Sequence, residues 1–238
     1  MRTWKFSDMK REGFASFRRN LLFAIAVCLI VELLSGEGTG VHLPISREDL
    51  GNLDALVQGL WSKAFAAELL KHSAIGLILK VIVGNVAHVG EAFFFLRSRK
   101  ESGVSLDCLL HGFRDGNYLP VMKTCLVKTV HVLLYSLLLV VPGIIKHLEH
   151  AMVPYILAEH PKMDTKEVLE LSDEMTKGEK WNIFLFRLSF IGWILLCGLT
   201  KGIGNLFLNP YRAASEAEVY ATLKAKYLER TGKTSLEG

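Results

Sequence analysis

The stretch from Leu133 to Tyr155, LLYSLLLVVPGIIKHLEHAMVPY, constrains this chain more than any other. Its first half is a nearly unbroken apolar run. Pro142-Gly143 interrupts it, and its second half carries Lys146, His147, Glu149 and His150 before Pro154. Backbone freed by a break, and charge placed just beyond an apolar run, must face a protein interior or water and not lipid. Two membrane arrangements satisfy this. Either Pro142-Gly143 is a turning point and residues 144–158 return as a short polar helix, or one long helix kinks there and the parity of spans changes. If the break is a turning point, Lys146 to His150 is expected toward the outer side.

Composition supports a membrane setting. Of 238 residues, 50% are hydrophobic, and there are 20 glycines and only 6 prolines; mean hydropathy is +0.29. Soluble domains reach such an apolar share only when glycine is counted with it. The net charge of +4 gathers near the ends of apolar runs and forms no basic stripe interleaved with aromatics, so nucleic acid is not an expected partner. The four cysteines include no CxxC pair; Cys28, Cys125 and Cys197 lie inside apolar runs and read as small core side chains.

Taken in order, the chain predicts an all-α, polytopic helical bundle of about six spans with short amphipathic surface helices. Arg2, Lys5, Lys10, Arg11, Arg18 and Arg19 precede the first span, residues 21–40, and place the amino terminus in the cytoplasm. Glu32 interrupts the run and Ser35-Gly36-Glu37 is no cleavage site, so the span is retained. Leu53, Leu56, Val57, Leu60, Trp61 and Ala64 recur at helical spacing on an outer surface helix. The second span, residues 73–96, stops at Arg97, Arg99 and Lys100. Spans at 124–141 and 144–158 flank the Pro-Gly break. Asp164-x-x-Glu167 opens a cytoplasmic surface helix in which Val168, Leu171 and Met175 share a face up to Gly178. Spans at 182–200 and 203–223 complete the bundle, and Lys224, Lys226, Arg230 and Lys233 keep the carboxy terminus inside. The whole chain is one integral domain.

Three stretches carry a resemblance: PGIIKHLEHAMVPYILAEHP, LSDEMTKGEKWNIFLFRLSFIGW and GIGNLFLNPYRAASEAEVY. Their order resembles a family of bacterial multi-pass membrane proteins known only as a domain of unknown function, nine-seventy-five. The likeness is carried by the carboxy-terminal half; the amino-terminal half matches in hydropathy alone. The family's lysine usually leads into a tyrosine-serine pair, and here His147 to His150 stands there. The resemblance implies a bacterial cytoplasmic (inner) membrane protein and assigns no activity or catalytic residue. The layout is also similar to the membrane domains fused to glycerophosphodiester phosphodiesterases, a likeness that hints at lipid.

Ionisable groups inside spans are costly and are where function is sought first. Glu32 and Lys80 lie toward the outer ends of their spans and are candidates for an ion pair. His88, Glu91, Lys128, His131 and Arg187 lie toward the inner ends, and with Lys146 they are candidates for a ligand or proton pathway. His88 and Glu91 are three apart, as are Lys128 and His131, so each pair shares a helical face. The competing reading is structural: Glu91 pairs with Lys128 or Arg187, and the charges hold the helices in register. His147 and His150 offer two imidazoles, but zinc needs a third protein ligand and the HExxH order is absent, so no metal or other cofactor is expected. There is no GxSxG, Walker A or GxGxxG motif, and an enzyme is not the expected class. Two functions remain: binding or moving a small amphiphile or lipid through an intramembrane polar pocket, or serving as a structural or regulatory subunit whose polar residues contact a membrane protein partner.

Overall fold

In the computed structural model, residues 5–35, 80–114, 116–199 and 204–236 are described, and among them the chain is helical with no strand. The expected outer surface helix around Leu53 to Ala64 and the beginning of the second span lie outside these residues. Ten α-helices follow one another: α1 Phe6–Arg19, α2 Leu21–Ser35, α3 Asn85–Ser98, α4 Tyr118–Leu138, α5 Val140–Glu149, α6 Val153–Glu159, α7 Thr165–Thr176, α8 Lys180–Leu188, α9 Ile191–Leu199 and α10 Asn205–Thr231. A π-helical turn, Lys80–Gly84, leads into α3, and a 3-10 helix, Leu106–Phe113, follows it.

The central helix is α3, which packs against α2, α4, α6, α10 and the 3-10 helix. Its small residues allow this. A Cβ on Gly90 would strike the carbonyl oxygen of Leu109 and lie 2.8 Å from that residue's Cα, so helix and connecting segment are in backbone contact. Phe94 and Phe95 are fully buried on the same helix. Its carboxy-terminal end is capped from a distance. Arg19 Nη2 donates to the carbonyl of Arg99 at 2.9 Å and to that of Ser98 at 3.4 Å, placing a cation where the helix dipole is negative. Next to it, Asn20 Oδ1 accepts from the backbone of Gly103 at 2.8 Å and Val104 at 3.3 Å, while its amide donates to Glu101 O at 3.1 Å.

α10 packs against α1 and α7, and α7 in turn packs against α6. α6 buries Val153, Tyr155, Ile156, Leu157 and Ala158. Asp164 caps α7 by accepting from the Lys166 N–H at 2.9 Å, and Val168, Leu171 and Met175 are buried along one face. α7 stops before Gly178, whose φ of +81° suits glycine. Glu179 then binds Lys226 at 2.6 Å, tying this end to α10.

The Pro-Gly region is a helical hairpin. α4 ends at Leu138, Leu139 is extended (φ −161°, ψ 146°), and α5 begins at Val140 with Pro142 in its first turn, where a missing N–H costs nothing. α5 runs back along α4: Gly143 faces Ser136, Lys146 Nζ lies 5.3 Å from the Tyr135 ring, and the His150 and His131 rings are 5.9 Å apart. Residues 144–158 are thus not one helix. α5 ends at Glu149, the chain turns at His150 to Met152, and α6 enters the buried core.

Large apolar side chains are exposed on several helices. Leu22 and Leu33 on α2, Leu137 at the hairpin tip, and Trp193, Leu195 and Leu196 on α9 all stand open, Leu137 to 83%. Length is the limiting feature. One helical stretch among the described residues, Lys180–Cys197, is long and apolar enough to cross a membrane, with 18 residues and mean hydropathy 1.4; Leu21–Ser35 is apolar but shorter. Among the described residues the expected bundle is therefore all-helical, with one helical stretch of crossing length.

Candidate functional site

By the contacts they make, the six pathway candidates fall into three clusters. In the first, His88 Nδ1 lies 2.9 Å from Glu91 Oε2 on α3, and Cys28 on α2 donates its Sγ–H to Glu91 Oε1 at 3.2 Å. The shared face read from the three-residue spacing brings His88 and Glu91 together. Glu32 on α2 accepts a short bond from the Asn209 side chain on α10. Its expected partner, Lys80, has a side chain outside the described set.

The second cluster sits between α8 and α10. Arg187 Nη2 reaches Glu216 Oε2 at 3.3 Å. Arg212 and His147 lie within electrostatic reach of the same carboxylate. Tyr155, buried on α6, feels both Glu91 and Glu216 as well as the two arginines, and stacks on Tyr220 at 5.3 Å. Around Tyr155 two arginines, Arg187 and Arg212, face two carboxylates, Glu91 and Glu216. Such an arrangement holds helices in register and keeps charge neutral away from water.

The third cluster lies at the base of the α4–α5 hairpin. Lys128 and His131 come from α4, Lys146, Glu149 and His150 from α5, Asp173 from α7 and Lys180 from α8. Glu149 accepts from Lys180 at 2.7 Å and meets Lys146 on its other oxygen. Lys180 also reaches Asp173 at 3.1 Å, and Ser172 Oγ donates to the Glu149 carbonyl at 2.6 Å, capping α5. His150 is 3% exposed, and neither of its ring nitrogens has a hydrogen-bond partner among the described residues. Lys128, Lys146 and His131 all act on it electrostatically. Lys128, Lys146 and His131 thus bear on the His150 ring against one carboxylate, Glu149, which Lys180 bridges to Asp173.

This corrects the expected separation of Lys146 to His150 from Lys128 and His131 by most of a membrane thickness. Because the chain reverses at Leu139, the two ends of the stretch come back side by side. His147 and His150 do not act together: His147 acts on Glu216, whereas His150 stands beside His131. Among the described residues, no group of three His, Cys, Asp or Glu side chains is placed to hold a metal ion.

Several residues escaped the sequence reading. Glu216 and Arg212 are four apart on α10, a spacing that shares one face and is the sequence signal for this cluster. Glu218 is buried and bound by Arg99 at 2.8 Å, a contact between residues too far apart for spacing to show.

A family model matches residues 14–227. The chain belongs to the family described as protein of unknown function DUF975. The match covers both halves of the chain, including the amino-terminal part in which only hydropathy suggested it. No curated protein and no solved structure matches. Membership in DUF975 brings no activity with it, so function has to be argued from the site.

Proposed function

We propose that this DUF975 protein is an integral protein of the bacterial cytoplasmic membrane that binds or moves a small amphiphile or lipid, using the base of the α4–α5 hairpin. About six helical segments enter the bilayer in this reading: α2, α3, the two hairpin arms, α8 with α9, and the first half of α10. Basic residues flanking them put both termini in the cytoplasm. The observation that carries the proposal is the polarity of the hairpin along its own axis. Lys128, His131, Lys146 and His150 lie at its base; Leu133, Leu134, Leu137, Leu139 and Val141 lie exposed toward its tip. α5 has 10 residues, about 15 Å of helix, roughly half of a 30 Å hydrocarbon core. Polar base and apolar tip are therefore spaced like the head and chains of an amphiphile in one leaflet.

The second reading, a structural or regulatory subunit contacting a membrane protein partner, is supported by the balanced Arg187–Glu216 cluster, which needs no ligand. Native mass spectrometry of the whole protein released from mild detergent separates the two. A lipid-sized adduct is expected, and Gly143→Val, which forces the hairpin arms apart, is expected to remove it. A stoichiometric protein partner with no small adduct would overturn amphiphile binding in favour of the subunit.

A further inference from the structure

We propose that His150, with His131, Lys128 and Lys146, forms a site for the phosphate of an anionic phospholipid. This rests on the amphiphile reading and names the headgroup chemistry. His150 is the decisive residue. Its ring is buried to 3% exposure with both nitrogens lacking partners among the described residues, a costly state for a polar group in a packed interior. The surrounding charge chooses the ligand's sign. Lys128, Lys146 and His131 act on His150 against one carboxylate, Glu149, which disfavours a metal cation and favours an anion. The nearby carboxylates are already engaged, Glu149 by Lys146 and Lys180, and Asp173 by Lys180.

Geometry narrows the choice further. The His131 and His150 ring centroids are 5.9 Å apart with planes inclined by 32°, near enough for two oxygens of one tetrahedral anion to meet a nitrogen of each ring. A ring N–H donates to such an oxygen, and a lysine ammonium makes a charge-assisted bond to it. Lys146, paired with Glu149, keeps 29% of its side chain exposed, so that rim of the site, beside the buried His150, is cationic and reaches solvent. The exposed Leu133, Leu134 and Leu137 continue from that rim along α4, offering acyl chains a path that inorganic phosphate does not use. With cytoplasmic termini the base lies at the cytoplasmic leaflet, where anionic lipids are concentrated.

The test uses the full chain in nanodiscs of phosphatidylcholine containing a minor fraction of phosphatidylglycerol, followed by native mass spectrometry of retained lipid. Phosphatidylglycerol is expected to be enriched at least tenfold over its bulk fraction. Lys128→Gln with His131→Gln is expected to bring retention back to the bulk ratio while the thermal transition stays within a few degrees of wild type. Should that double variant unfold, His150→Asn provides the second reading of the same site. Lipid retained at the bulk ratio by wild type overturns phosphate recognition and leaves amphiphile binding standing. No retained lipid of either kind overturns both. Saturable binding of inorganic phosphate by calorimetry, unaffected by added phosphatidylglycerol, assigns the site to free phosphate and overturns the lipid source.

Discussion

Glu218 shows how much a single side chain carries where no ligand is involved. It is 5% exposed on α10 and held by Arg99, at the end of α3, at 2.8 Å. Removing one member of a buried pair leaves the other charge uncompensated, at a cost of about 3 kcal/mol. Glu218→Ala is therefore expected to lower the thermal transition of the detergent-solubilised protein strongly. Arg97→Ala breaks the Arg97–Glu101 pair, whose side chains are about half exposed, and is expected to change stability by less than about 0.5 kcal/mol. Equal effects from the two would contradict this assignment. The sequence marks both arginines equally, as a cytoplasmic stop after the FFFL run. Which of them is structural depends on a partner more than a hundred residues away, and no local pattern carries that. The same applies to Asn20, whose bonds reach Glu101, Gly103 and Val104. His88 with Glu91 was legible because a three-residue helical spacing is itself a contact.

Among the elements, the α4–α5 hairpin depends on a close approach. A Cβ at Gly143 would lie 2.7 Å from the Ser136 Cα and nearer still to its hydroxyl. Backbone cannot yield as a side-chain tip can, so Gly143→Ala is expected to cost about 1–3 kcal/mol and to part the arms. Gly192 on α9 is the control: a Cβ there meets nothing within 4 Å. Gly192→Ala is expected to be neutral or stabilising by up to about 1 kcal/mol through helix propensity. Thermal unfolding in one detergent compares the two, and a harmless Gly143→Ala would mean that the arms are not in contact. The Pro-Gly pair was legible as a break between two helices. Its position was not, because the turn itself falls at Leu139, inside an apolar run whose composition is the same on both sides. One residue of extended backbone there converts an expected separation of Lys128 from His150 into proximity.

For the whole molecule, the proposed embedding makes a statement about depth that side-specific labelling can read. The four native thiols are buried, and burial pushes the Cys108 thiol up, so thiolate is scarce and the background low. Exposed positions on α1 and α7, Arg11→Cys and Lys166→Cys, are expected to react with a membrane-impermeant maleimide only after cells are permeabilised, because the proposed topology puts both in the cytoplasm. The hairpin tip distinguishes two arrangements that hydropathy treats alike. An arm of about 15 Å ends near the middle of a 30 Å core, where no water-soluble reagent arrives. Leu139→Cys is thus expected to label from neither side in native membranes and fully in denaturing detergent. Labelling of Leu139→Cys on intact cells would show arms that cross completely, and labelling of Arg11→Cys there would invert the topology. Protection of the tip together with cytoplasmic access to both flanks leaves one geometry: a hairpin that dips into one leaflet and returns its cationic base to the headgroups from which it entered.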